Sequence, residues 1–372
     1  MSRAVDGTTP RRVQEWLRDR LFPSWPSSVA TLAILYLAWK TIPSFVDWAL
    51  FHAIWSPQNA GLCRQVMGHG ACWAFVADKF RFFLFGTYPY DQQWRPALVI
   101  AILVGLYALS AFQTLRRSRL VPFWLAGLSA IGVLMCGGLF GLIYVENERW
   151  GGLTLTLLLS TLGIAFAFPL SIFLALGRRS EMTLVRWLTI AYIELIRGVP
   201  LISVLFMASV MFPLFLPVGV SIDKLLRAQL AMILFAAAYL AEVVRGGLQA
   251  IPRQQDEAAQ ALGLNYWQRM GFVILPQALR ISIPPLVNTV IGLFKDTSLV
   301  VIIGLFDFLT AIKISLTEPP WSGFGVEAYL FAALGYFLFC FPMSLYSQAL
   351  ERRGARDTEV KTLCGRTEQP RR

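Results

Sequence analysis

Three short groups of ionisable residues interrupt apolar stretches of this 372-residue chain: Glu194-x-x-Arg197, Glu242-x-x-Arg245 and Lys295-Asp296-Thr297-Ser298. They place carboxylates, guanidiniums, an ammonium and hydroxyls at membrane depth. An ionised group there costs roughly 2.5–3.5 kcal/mol on insertion scales, so it faces a bundle interior or a wet cavity. Such a set has two uses. It can bind a zwitterion, with a carboxylate at the solute ammonium and donors at its carboxylate, or its members can pair with one another as structural ion pairs. Neighbours on a helix point about 100° apart, so Lys295 and Asp296 need not pair together. We expect Asp296 and Ser298 to face a solute path, with Thr297 or Ser298 supplying hydroxyl contacts. Lys295 is expected to pair with an acid, and Arg197 or Arg245 to shape an inner gate. Structural pairing of Lys295 and Asp296 with Glu194, Arg197, Glu242 or Arg245 is the alternative.

Other chemistries leave no trace. There is no GxxxxGK[ST] to cradle a nucleotide, no HExxH and no CxxC. The two histidines, His52 and His69, share one polar stretch and form no metal cluster. No catalytic residue, metal or cofactor is expected on this chain. The formal net charge of +11 does not point to nucleic acid, because the basic residues cluster in short segments beside apolar runs. Cys63 and Cys72 share the same stretch as the histidines. In an oxidising compartment they form a disulfide; otherwise they are two free thiols.

The composition says what must hold these groups. Hydrophobic residues make up 56% of the chain and charged ones 15%, with a mean hydropathy of +0.58. Soluble domains carry about 25% charged residues, so a lipid bilayer must cover part of this surface. We expect an all-α polytopic membrane protein. Eight stretches approach the ~20 apolar residues of a spanning helix: Ser28–Phe51, Pro96–Phe112, Val121–Tyr144, Leu153–Leu176, Leu188–Leu216, Ala228–Ile251, Pro285–Leu305 and Val326–Leu350. The fifth is overlong and contains Pro200 and Pro213, so it should tilt, kink or start on the membrane surface. Arg11, Arg12, Arg18 and Arg20 precede the first stretch, which is too long for a signal peptide and reads as an anchor.

With eight spans, every dense basic segment falls on one side. These are Arg116, Arg117 and Arg119; Arg178, Arg179 and Arg186; and the tail from Arg352 and Arg353 through Arg356, Lys361 and Arg366 to Arg371 and Arg372. By the positive-inside rule that side is the cytoplasm, and both termini lie there. Four parts are expected: a cytoplasmic segment 1–27, an accessory region 28–150 with three spans and an outer loop at about 52–95, a five-span core 151–353, and a basic tail 354–372.

Between the sixth and seventh stretches runs Asp256-Glu257-Ala258-Ala259-x-x-Leu262-Gly263-x-Asn265-x-x-Gln268, then Val273-x-Leu275-Pro276. It reads as two short helices at an elbow, at about 252–280. Asp256 is a candidate N-cap, the alanines favour helix, and Gly263 suits the left-handed turn that ends one. Asn265 with Gln268 matches a capping box, and Pro276 should limit further helix. Glu257-Ala258-Ala259, Gly263 and Val273-x-Leu275-Pro276 resemble the EAA loop of ABC importer permeases. The Glu194–Leu201, Ala238–Gly247 and Lys295–Leu299 segments, with Gly152-Leu153-Thr154-x-Thr156-Leu157, are similar to the polar amino-acid permeases of the histidine and glutamine type. The first three spans, with Phe85-Gly86-x-Tyr88-Pro89 and Gln93-Trp94-Arg95-Pro96, look like the long permease of general L-amino-acid (Aap/Bzt) systems.

The resemblance implies a multi-pass inner-membrane permease for L-amino acids, working by alternating access. It implies that Asp256 to Gly263, with Leu275 and Pro276, dock a separate ABC ATPase dimer that binds ATP and Mg²⁺. It also implies a second permease subunit in a heterodimer and an extracytoplasmic amino-acid-binding protein. The alternatives are the same importer for another small polar solute, or a channel or scaffold without ATP coupling.

Overall fold

The computed structural model describes residues 20–56, 60–111, 117–138, 141–215, 217 and 222–367. Arg11, Arg12, Arg18, Phe112, Arg116, Leu216, Arg371 and Arg372 of the expected spans and flanks lie outside the described residues, as do the side chains of Arg117, Arg119, Arg353, Arg356, Lys361 and Arg366. The chain forms two compact units, Met1–Asp78 and Lys79–Arg372. The expected boundary between the accessory region and the core, at 150, falls inside the second.

In the first unit, α1 (Trp25–Val46) starts at Ser24, whose side chain forms a reciprocal capping box with Ser27. Proline in the first turn is well placed there, because that N–H has no helical partner to lose. A π turn, Asp47–Phe51, closes the helix. A small cap then folds back over its end. The short helix α2 (Ala60–Val66) carries Cys63, which is bonded to Cys72 across a Cα–Cα separation of 5.6 Å. The Trp73 indole N–H donates to the Ala49 carbonyl at 2.8 Å, and the rings of Trp55 and Trp73 stack with centroids 5.9 Å apart.

Helix α3 (Ala74–Phe85) leads into the second unit. There follow α4 (Trp94–Ala111), α5 (Arg117–Cys136), α6 (Gly152–Arg178), α7 (Thr183–Gly198), α8 (Leu201–Leu214, with a π turn at Met207–Met211) and α9 (Lys224–Gln249). The chain continues through α10 (Arg253–Ala261), α11 (Leu275–Asp296), α12 (Phe308–Ser315) and α13 (Gly325–Thr367). A π segment, Arg269–Ile274, runs into α11, and a 3₁₀ segment, Thr297–Ile303, runs out of it.

Six of these segments are long and apolar enough to cross a membrane; α7 with α8 is a seventh, broken one, and Leu120–Cys136 is a shorter apolar helix. Seven of the eight expected stretches therefore appear as spanning segments, two of them changed in form, whereas the third, expected over Val121–Tyr144, ends as a helix at Cys136 and falls short of a spanning length. The fifth begins at Thr183 and bends by 104° between Gly198 and Leu201, because Pro200 has no N–H to carry the helix on and disfavours helical backbone at Val199. The seventh is part of a 38-residue run, Tyr266–Ile303. Pro276 was expected to limit helix. It instead occupies the first turn of α11, where proline is tolerated, and the wider π turn precedes it.

The core lies among α6, α8, α9 and α11. Leu155, Leu159, Leu205, Met232 and Leu293 are buried together. The buried face of α9 carries Ala228, Ala231, Ala236, Ala237, Ala238 and Ala241. Small side chains let helices approach closely in lipid, where packing rather than the hydrophobic effect holds them.

Two features tie the segment before α4 to this core. Gly86 lies so close to Gly151 that a Cβ on it would sit 2.5 Å from the Gly151 Cα. The Thr154 hydroxyl donates to the Leu84 carbonyl at 3.0 Å. Farther along, the Tyr107 and Thr161 hydroxyls are 2.9 Å apart and join α4 to α6. Arg95 is fully buried. It donates to the carbonyls of Leu134, Met135 and Ile143, so a guanidinium caps the C-terminal end of α5, where cations suit the helix dipole.

Candidate functional site

Two sites emerge, one on the elbow after α9 and one between α9 and α11. The elbow has the geometry that its residues call for, with one correction. Asp256 is not the N-cap. Pro252 holds that position, and Asp256 stands in the first turn. Its carboxylate pairs with Arg269 at 3.2 Å, and Arg269 also reaches the Gln260 side chain at 3.4 Å. Arg269 therefore joins the two arms of the elbow, a role invisible in the spacing. Ala259 is buried, whereas Glu257 and Ala258 face outward. Gly263 adopts φ +78°. The helix ends in two bonds typical of a left-handed terminus, Gly263 N–H to Gln260 O at 2.9 Å and Leu264 N–H to Ala259 O at 3.3 Å. The Asn265–Gln268 capping box is present, with both bonds at 3.0 Å.

Two large apolar residues are displayed on this elbow. Leu262 is 81% exposed and Trp267 69%.

The second site is a cleft of about 410 Å³ lined by Phe235, Ala236 and Tyr239 of α9 and by Asn288, Thr289, Gly292, Leu293 and Asp296 of α11. Asp296 is half-buried, and no Lys or Arg nitrogen lies within 4 Å of its carboxylate among the described residues. Three expectations about its neighbours need correcting. Thr297 is fully buried, and its hydroxyl donates to the Phe294 carbonyl at 2.7 Å, because the switch to 3₁₀ geometry turns it inward. Ser298 is half-buried but does not line the cleft. Lys295 is exposed and has no carboxylate within 4 Å among the described residues.

The remaining four charged residues form a network beside the cleft, organised by Arg178 of α6. Its guanidinium contacts Glu194 at 2.9 Å and Glu242 at 2.7 Å. Glu242 also takes Arg245 at 2.8 Å and, more loosely, Arg197 at 3.7 Å. The Arg197 guanidinium lies 5.6 Å from the centre of the Tyr239 ring, whose side chain lines the cleft. Arg178 reads in the sequence only as a flanking charge; its role follows from α6 and α9 packing side by side.

Residues 167–356 match the family model described as "Binding-protein-dependent transport system inner membrane component". The chain is 50% identical over 346 residues to the inner membrane amino-acid ABC transporter permease protein YhdY of Escherichia coli (strain K12), covering 92% of this chain and 93% of that one. It is 38% identical over 408 residues to the glutamate/glutamine/aspartate/asparagine transport system permease protein BztC of Rhodobacter capsulatus, covering 92% and 94%. Among solved structures, a crystal structure of an amino acid ABC transporter with histidines is 31% identical and matches with a TM-score of 0.49, covering 54% of this chain and 92% of that one.

Proposed function

This chain belongs to the family of binding-protein-dependent transport system inner membrane components, and on that premise we propose that the α9–α11 cleft passes an amino acid while the elbow takes the stroke of a separate ATPase. The protein is a transmembrane permease subunit of an ATP-binding-cassette importer for amino acids. The observation that carries the assignment of the path is Asp296. A carboxylate at membrane depth with no ion pair is costly unless it meets a cation in a wet cleft. The ammonium of an amino acid is such a cation, while Asn288, Thr289 and Tyr239 offer hydrogen bonds to the rest of a polar solute. In this reading α9 and α11 alternately expose the cleft to the two sides of the membrane.

The partners follow from the same reading. An ABC ATPase dimer, which holds the ATP and Mg²⁺, docks on Asp256 to Gly263 and the exposed Leu262 and Trp267. A second permease subunit completes a heterodimer, and an extracytoplasmic amino-acid-binding protein delivers the solute. The five-helix core carries transport, and the three N-terminal helices are accessory to it. This chain supplies no ATPase site of its own. Uptake by the complex reconstituted in liposomes, over a panel of amino acids, sugars and inorganic anions, tests the function. Amino acids should be taken up in an ATP-dependent way, and uptake of the other solutes alone would overturn it.

In this reading both termini lie in the cytoplasm. Arg178, Arg179 and Arg186 lie at the turn that Arg179 holds beside the end of α9, as basic residues do on the cytoplasmic side, and a Cys63–Cys72 bridge suits an oxidising compartment. We predict that Asp91→Cys, in a chain with Cys136, Cys340 and Cys364 replaced by serine, is labelled by an impermeant thiol reagent in intact spheroplasts. Labelling only after lysis would reverse the orientation.

A further inference from the structure

We propose that Glu242 is a positioning residue that makes the bend between α7 and α8 travel with the ATPase-driven end of α9. Three observations meet at this carboxylate. It is the shared partner of Arg178 on α6, Arg197 on α7 and Arg245 one turn along α9, at 2.7, 3.7 and 2.8 Å. It is the most enclosed member of the network, with a side chain 14% exposed against 54% for Glu194. It also stands seven residues, about two turns, before the end of α9 at Gln249, from which Ala250, Ile251 and Pro252 lead directly into α10. The Arg179 guanidinium holds the same end of α9 through the Leu248 carbonyl at 3.3 Å.

A displacement of α10 is therefore delivered to α9, and through Glu242 to Arg197, three residues before Pro200 and the 104° bend. Without that tether only the looser stacking of Arg197 over Tyr239, at 5.6 Å, joins the charged end of α7 to the lower half of α9 among the described polar contacts; the hydrogen bond between these helices runs from the Tyr192 hydroxyl to the Leu234 carbonyl at 2.8 Å, more than two turns away along α9. Arg197 also lies over Tyr239, so the tether sets the position of a residue that lines the cleft. Three guanidiniums share two carboxylates in this cluster, so the removal of Glu242 leaves like charges that repel and drive α6, α7 and α9 apart. The network itself is a set of ion pairs and touches no solute. Its effect is to make three helices respond as one.

The proposal rests on the importer-permease reading, and the test separates the two. The assembled wild-type complex in liposomes must first show ATP-dependent amino-acid uptake, since its absence would remove that reading rather than this one. In Glu242→Gln, ATP hydrolysed per amino acid imported should rise by about tenfold, in the range of ordinary coupling between sites. Nitroxide labels at the exposed Leu195 on α7 and Gln249 on α9 should keep one separation in the nucleotide-free and ATP-trapped wild type and two different separations in the variant. A parallel fall of uptake and hydrolysis, with their ratio unchanged, would overturn the proposal, as would a label separation that changes in the wild type. If Glu242→Gln fails to assemble, Arg197→Gln, which removes only the longest pair, is read by the same ratio and the same distance, with the same two outcomes.

Discussion

Replacing Asp296 by Asn in the assembled complex is expected to lower amino-acid uptake at limiting solute by about tenfold to a hundredfold, with the subunits still associated. A hydrogen bond to a charged group contributes about 1.5–3 kcal/mol, and each 1.4 kcal/mol is about a factor of ten in an equilibrium constant. The substitution keeps the volume of the side chain and removes its charge, so it isolates the electrostatic contact with a solute ammonium. The carboxylate has no guanidinium or ammonium nitrogen of this chain within 4 Å among the described residues, so no internal ion pair is broken. A structural role makes a different prediction: loss of assembly. Uptake that is unchanged at limiting solute would mean that Asp296 does not touch the amino acid.

Replacing Gly263 by Val is expected to uncouple the permease from its ATPase, seen as loss of ATPase co-purification or of uptake while the chain still inserts. The cause is conformational. The backbone holds φ +78°, which costs a residue with a side chain roughly 1–2 kcal/mol and a β-branched one more. Space is not the obstacle, since no atom lies within 4 Å of where its Cβ would be. Gly263→Asn should therefore retain most activity, because Asn enters the left-handed region several times more readily than other residues. The contrast matters more than either variant alone. If Val is tolerated, the elbow does not need this turn. If Asn fails as badly as Val, a side chain there blocks the partner directly.

Much of this could be read from residue order, because the interactions responsible are local. Apolar run length marked out eight segments, since a helix that crosses lipid must satisfy its backbone within itself. The turn at Gly263 and the box at Asn265 and Gln268 depend on bonds spanning three to five residues, so both are legible in the residue types. Residue order misleads where locality fails. Asp256 has the right type for an N-cap, but Pro252 starts the helix earlier and leaves the carboxylate to Arg269, thirteen residues away. Pro276 reads as a stop, but a preceding π turn makes it a helical start. Thr297 looks like a path residue until the backbone tightens to 3₁₀ geometry and turns its hydroxyl to Phe294. Arg178 and Glu242 are 64 residues apart and meet only because α6 packs on α9. Residue order thus determined which segments are helical, where the elbow turns and which residue types are available to bind an amino acid. Which carboxylate remains unpaired in the cleft and which is consumed by arginines was decided by helix packing, because pairing depends on distances between segments that the chain brings together only when it folds.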